Sequence, residues 1–192
     1  MAAARHPKGF RFLGRRRVCA NSKLEVFFDH LRHRGRLEIR DYMVVAPRGR
    51  GRDLVTGVAI LPVVAGKICL IRIWRHAIAG YSWEIPKGFI EPREGPRASA
   101  LRELEEETGL TCPLKRITPL GHVTPDAGVF AARVAVFAAL GCRKDPGWKP
   151  GEIAHAGRRL FKPSELSRLI RRSKIQDSYT LAAFAQFQER KP

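Results

Sequence analysis

The run GFIEPREGPRASALRELEEETGL, from Gly88 to Leu110, constrains this chain more than any other stretch. Pro96 suits the first turn of a helix and Gly109 supplies a stop, so the run predicts a helix over 95–108. At about 100° per residue, Glu103, Glu106 and Glu107 share one face, while Leu101, Leu104 and Thr108 turn toward a core. Like charges at these spacings cost a few tenths of a kcal/mol per pair, a cost that a Lys or Arg one turn away normally offsets. The chain has 36 Lys and Arg residues, and none falls between Glu103 and Leu114. Carboxylates arranged this way suit a hard divalent cation, which takes oxygen ligands and keeps room for water and phosphate. On the helix alone, the alternative is a solvated acidic face.

Around that helix the pattern is mostly strands. Leu24–Phe28 and Leu37–Val45 read as short strands, the second ending in a Gly- and Arg-rich turn over 47–52. Val55–Val64 and Ile68–Trp74 are apolar and β-branched, joined by Ala65-Gly66-Lys67 as a hairpin. Tyr81–Ile85 reads as a strand stopped by Pro86. Further strands are predicted near 116–123, 129–140 and 159–161, with a Gly/Pro/Lys loop over 141–151. Helices follow near 164–173 and 178–189. This order predicts a mixed α/β domain and not a regular βαβ repeat. A length of 192 residues allows one domain and a short extension. We read 1–22 as a basic flexible tail, 23–54 as an N-terminal β-element and 55–190 as the main domain.

Net charge is +18, and it sits at the ends: residues 1–52 carry net +10 and 141–192 net +7, around a centre of net +1. Such a field attracts polyanions, or else marks only a solvated surface. No apolar run approaches the roughly 20 residues of a membrane span, so no membrane partner is expected. Cys19, Cys69, Cys112 and Cys142 form no CxxC pair and no zinc spacing with His, which predicts a reducing, cytoplasmic setting. His30 and His33 read as solvated. The Arg-rich N-terminus lacks the hydrophobic segment of a secretory signal, and its Pro7, Gly9 and Gly14 favour a basic tail over a transit peptide.

Gly88, Glu94, Arg102-Glu103-Leu104, Glu106-Glu107 and Gly109-Leu110 fill every position of the pattern G-x5-E-x7-R-E-U-x-E-E-x-G-U, where U is aliphatic. With fixed residues at about 1 in 15 and aliphatic ones at about 1 in 4, a chance match is roughly 10⁻⁹ per frame. The sequence resembles the Nudix hydrolases. The resemblance implies an α/β/α sandwich with a mixed central sheet and a loop–helix–loop, Gly88 and Gly109 bracketing the helix. It implies that Arg102 holds Glu94 or a helix-face carboxylate in place. Glu103, Glu106, Glu107 and the Lys87 backbone carbonyl would bind Mg²⁺, with Mn²⁺ as a substitute.

Three flanking features are similar to the branch that cleaves ADP-ribose and nucleoside-diphosphate sugars: Trp83 to Gly88 as the strand entering the box, Pro125 at 15 residues past Leu110, and Lys174 through Phe184 as the last helix region. That branch implies Arg75 and Glu84 as substrate contacts, Glu84 alternatively being one half of a structural ion pair. It implies Glu106, Glu107 and the loop residue Glu152 as catalytic carboxylates, one of them taking the proton from the attacking water. The branch also uses a small N-terminal β-element in a homodimer. Trp74, Trp83, Phe130, Trp148 and Phe27-Phe28 are candidates to stack on a base, against core packing. The expected reaction is metal-dependent hydrolysis of a small nucleoside diphosphate derivative, ADP-ribose yielding AMP and ribose 5-phosphate. The alternatives are a Nudix enzyme acting on RNA 5′ ends or dinucleoside polyphosphates, its basic ends gripping nucleic acid, and a non-catalytic nucleotide sensor.

Overall fold

The computed structural model describes residues 7–35, 37–48, 53–149 and 155–190. The chain divides into two compact units, one of residues 1–56 with 124–133, the other of 57–123 with 134–192.

The first unit is built on an antiparallel sheet of β1 (Phe10–Ala20), β2 (Leu24–His33) and β3 (Leu37–Pro47), in that order. The expectation of a flexible tail over 1–22 is corrected here for Phe10–Ala20, while residues 1–6 lie outside the described residues. The reason is pairing across the ladder. Arg15, Arg16 and Arg17 stand opposite Asp29, Phe28 and Phe27. Arg15 donates two hydrogen bonds to Asp29, at 2.6 and 2.7 Å, and also stacks on Phe27, while Arg16 lies over the Phe28 ring. A charge run that reads as solvated is thus half-neutralised and half-stacked. Phe27 and Phe28, considered as base-stacking rings, carry these arginines.

The second unit centres on the larger sheet, ordered β12 (His155–Phe161), β5 (Lys67–Arg75), β4 (Val55–Val64), β10 (Arg133–Leu140) and β9 (Ile117–Val123). β4 and β5 pair only at their hairpin tip, Val63 with Ile68 and Val64 with Lys67. Beyond the tip they splay, and the segment 80–89 fills the gap. Its first half, β6 (Gly80–Glu84), pairs with β5, and its second half, β7 (Lys87–Phe89), pairs with β4. Pro86 marks the crossover, since it cannot donate to a ladder. This strand switch delivers Glu84, Lys87 and Gly88 to one place.

Both faces of the sheet are buried. Ala59, Leu61, Ile68 and Leu70 join one apolar cluster with Leu166 of α2 (Pro163–Arg171) and Ala183 and Phe184 of α3 (Ser178–Glu189). The alternating residues Val58, Ile60, Cys69 and Ile71 are equally buried, so the opposite face is covered too. Along β7 lies α1 (Pro96–Thr108), with Ala100 and Leu104 fully buried. This mixed sheet with flanking helices is the expected α/β class. Strand 133–140 starts later than the expected 129, because Phe130 makes only an isolated bridge to Val45. Among the described residues no helix is long and apolar enough to cross a membrane.

Candidate active site

α1 begins at Pro96 after the extended Gly95 and ends at Gly109, whose φ of 58° is left-handed and whose N–H closes on Glu105 O at 2.9 Å. Glycine takes that conformation without a Cβ penalty. A side chain there would also collide with Trp148, which packs over the turn. The last helical carbonyls are satisfied from the following loop. Trp148 Nε1 donates to Glu106 O at 3.0 Å. His155 Nδ1 accepts from Gly157 N–H, which leaves Nε2 protonated to donate to Glu107 O at 3.1 Å. Trp148, a candidate for base stacking, is therefore a helix-end clamp, and His155 is a member that sequence reasoning missed. Only its distance from the helix in sequence hid it.

The glutamates are held in two ways. Glu103 and Glu107 are buried and Glu106 is exposed. Arg102 is the hub. Its Nη1 donates to Glu103 Oε1 at 2.7 Å and to Glu106 Oε2 at 3.0 Å, its Nε donates to Glu94 Oε2 at 3.2 Å, and its Nη2 reaches Phe89 O at 3.0 Å. Ser99 Oγ donates to the same Glu94 oxygen at 2.6 Å. Although burial opposes charge on the guanidinium, the bonds and charges of Glu103, Glu94 and Glu106 raise its pKa. The helix-face carboxylates thus have a local cation after all, supplied by the residue just before Glu103. Glu107 is anchored separately, its Oε2 accepting the Lys87 N–H at 3.0 Å. The residue proposed to offer its carbonyl to a metal therefore already positions one of the carboxylates.

Gly88 is required by contact. A Cβ there would overlap the whole Glu103 carboxylate, which lies directly against the β7 backbone. Among the described residues, no three His, Cys, Asp or Glu side chains converge closely enough to hold a metal ion as they stand. The chemistry of the donor set fits one nonetheless. It is all hard oxygen, with three carboxylates against one guanidinium. Glu105, Glu106 and Glu107 also crowd the last turn of α1, where the helix dipole is negative, and no basic residue lies in that turn. Each such charge costs about 0.3–1 kcal/mol at a helix C-terminus, a cost that a bound cation removes.

Arg75 and Glu84, expected as substrate contacts, form an ion pair. Arg75 Nη2 donates to Glu84 Oε2 at 2.6 Å and Nε lies 3.1 Å from both oxygens. Lys87 Nζ also pairs with Glu84, and reaches Asp177 at 3.3 Å. Asp177 in turn caps α3 by accepting from Thr180 N at 2.9 Å. The Glu84 side chain is 4% exposed and that of Arg75 37%, so the guanidinium reaches solvent over a buried counter-charge. Trp83 meets Phe161 edge-on in the core, and Trp74 meets Tyr81 at the surface. Glu152 lies outside the described residues.

Burial pushes the Glu84 carboxyl up, but the Arg75 hydrogen bonds and the Lys87 charge outweigh it and hold the group at about 2, below its ordinary 4.5. The folded value is the lower one, so this contribution is complete above pH 4.5 and is lost as pH falls toward 2. The shift corresponds to about 3 kcal/mol. Arg75→Met should therefore make the acid side of the stability profile shallower and remove part of that contribution at neutral pH, Lys87 retaining the rest. Urea unfolding at a series of pH values checks this; a variant with the parent's acid slope would refute the pairing.

A family model described as NUDIX domain matches residues 53–184. The ADP-sugar pyrophosphatase of Mus musculus is 38% identical over 80 residues, which is 41% of this chain and 37% of that protein. The ADP-ribose pyrophosphatase of Bacillus subtilis (strain 168) is 37% identical over 102 residues, 50% of this chain and 54% of that protein. The matches thus span about a third to a half of these relatives' own lengths. A solved structure described as an ADP compounds hydrolase superposes with a TM-score of 0.77 over 97% of this chain and 96% of that one, at 17% identity, a likeness of fold.

Proposed function

This chain belongs to the NUDIX family, and on that footing we propose that it hydrolyses the diphosphate of a nucleoside diphosphate joined to a second moiety, ADP-ribose or a related nucleotide sugar. One observation carries the reading: Gly88, Glu94, Arg102, Glu103, Glu106 and Glu107 form a single array between β7 and α1, each carboxylate oriented by a named donor or contact. The relatives' names support ADP as the nucleoside diphosphate.

Glu103, Glu106, Glu107 and the Lys87 carbonyl would hold Mg²⁺, or Mn²⁺ in its place. Bound there, a divalent cation supplies charge neutralisation on the diphosphate and a water of lowered pKa. The chain's own part is positional. Arg102 keeps Glu103 and Glu106 in fixed rotamers, and the Lys87 N–H does so for Glu107. Glu107 takes a proton from the attacking water, a role for which Glu106 and Glu152 are the other candidates. Arg75, steadied by Glu84, presents its charge to the dianionic substrate. The homodimer of this branch would form through the N-terminal sheet, where Leu37, Ile39 and Met43 are exposed.

The test is hydrolysis of ADP-ribose, GDP-mannose, UDP-glucose, NADH, diadenosine polyphosphates and 5′-triphosphate RNA, each with Mg²⁺ and then Mn²⁺. The expected result is preference for ADP-ribose or a nucleotide sugar, with release of a nucleoside monophosphate. Activity confined to RNA or dinucleoside polyphosphates would overturn the substrate class. Tight binding of metal and nucleotide with no turnover would overturn the enzyme itself.

A further inference from the structure

A second polar feature lies past the C-terminal end of α1 and is lined by none of the box glutamates. β8 (Leu110–Thr111) and β11 (Arg143–Lys144) form a two-stranded ribbon, Lys144 opposite Leu110 and Arg143 opposite Thr111. Side chains alternate across such a ribbon, so Lys144 and Leu110 share one face. Both line a cavity of about 300 Å³ together with Cys69 of β5 and Arg158 of β12. None of its lining residues is a box glutamate, Arg102, Arg75, Glu84 or Lys87.

Arg158 is brought there by an irregularity. Between His155, opposite Ile73, and Arg158, opposite Ile71, β12 carries one extra residue, and Gly157 within it has φ 121°. A bulge of this kind re-aims the side chain that follows it. The guanidinium lies over the Trp148 ring, 4.7 Å from its centroid, yet its Nη1 is buried with no hydrogen-bond partner among the described residues. Lys144 is exposed and, among the described residues, makes no ion pair, and no carboxylate of those residues lines the cavity. Burial pushes the Cys69 thiol up to about 11 against the opposing charges of Arg158 and Lys144.

A buried guanidinium nitrogen left without an acceptor, beside a second cation and an open cavity, is satisfied by an oxyanion. We infer that this cavity is an anion site separate from the glutamate array, taking a phosphate group, free or as a small phosphate monoester, with Arg158 and Lys144 as its anchors. Trp148 reports on it, because an anion that draws the guanidinium changes the ring's surroundings.

The full chain, in EDTA, is titrated with inorganic phosphate and separately with ribose 5-phosphate, following tryptophan fluorescence and heat. Saturable binding of one anion per chain is expected, weakened about tenfold or more by Lys144→Ala and by Arg158→Met, and unchanged by Glu107→Gln. Lys144 is exposed, so its loss leaves the fold intact, and methionine still packs on Trp148. Saturation by inorganic phosphate supports the site with free phosphate as a sufficient ligand. Saturation by ribose 5-phosphate alone supports it as a monoester site. Absence of saturable binding by either probe overturns the inference. So does binding that survives both cavity variants, or that is lost with Glu107→Gln instead.

Discussion

Glu107→Gln should lower kcat on the preferred substrate by on the order of 10²–10⁴-fold while the protein melts within a few degrees of the parent. The two halves of that expectation come from different atoms. Glutamine retains a side-chain oxygen, so the bond from the Lys87 N–H at 3.0 Å can persist. The buried position of residue 107 stays filled. What disappears is the negative charge and the ability to take a proton. Glu105→Gln is the matched control. Glu105 lies on the same turn but its side chain is exposed, while its backbone carbonyl closes the Gly109 cap and is unchanged by the substitution. Its variant should keep parental turnover. Steady-state kinetics with metal varied, alongside thermal melts, decide the matter. Parental turnover in Glu107→Gln would remove that residue from the metal site and from proton transfer.

What could be read in advance followed how local each signal is. α1 was legible to its ends because Pro96 and Gly109 act within one turn, and the β4–β5 hairpin because Gly66 lies between apolar β-branched runs. β1 was not legible, since the partner that makes Arg15 structural is Asp29, 14 residues away, and an Arg run by itself reads as solvated. β7 spans three residues and exists only because β4 and β5 splay to admit it. No local pattern encodes that gap.

The site divides along the same line. The placing of Arg102 against Glu94 or a helix-face carboxylate rests on the family resemblance, whereas the glutamate face lies within two turns of helix and was legible there. The anchoring of Glu107 by a strand N–H 20 residues earlier was not. Nor was the clamp on the helix C-terminus by Trp148 and His155, which lie 42 and 48 residues from their acceptors. An aromatic residue in a Gly/Pro loop looks equally suited to a ligand and to a helix end. Only the turn at Gly109, with no room for a side chain, separates these uses.

Gly88→Ala should depress activity roughly 100-fold with only a small loss of stability, about 1 kcal/mol. Unlike Gly109, residue 88 has no left-handed backbone requirement, so alanine is conformationally acceptable there. The difficulty is the Glu103 carboxylate, all three atoms of which occupy the space of the new methyl group. A carboxylate is the far end of a flexible side chain, so it yields more readily than backbone. Moving it breaks the 2.7 Å bond from Arg102 and takes one of the proposed metal ligands out of the array. Gly57→Ala is the contrasting case, since its Cβ would come within 2.9 Å of the Gly88 carbonyl, a backbone atom fixed in the sheet. That variant should lose more stability than Gly88→Ala. A double-mutant cycle gives the sharper test. If Gly88→Ala acts only through Glu103, then adding it to Glu103→Gln should lower kcat/KM little further, because the carboxylate it displaces has already lost its function. Independent, multiplying losses would show that the methyl group harms the site by another route and that the contact with Glu103 is not the reason glycine stands at 88.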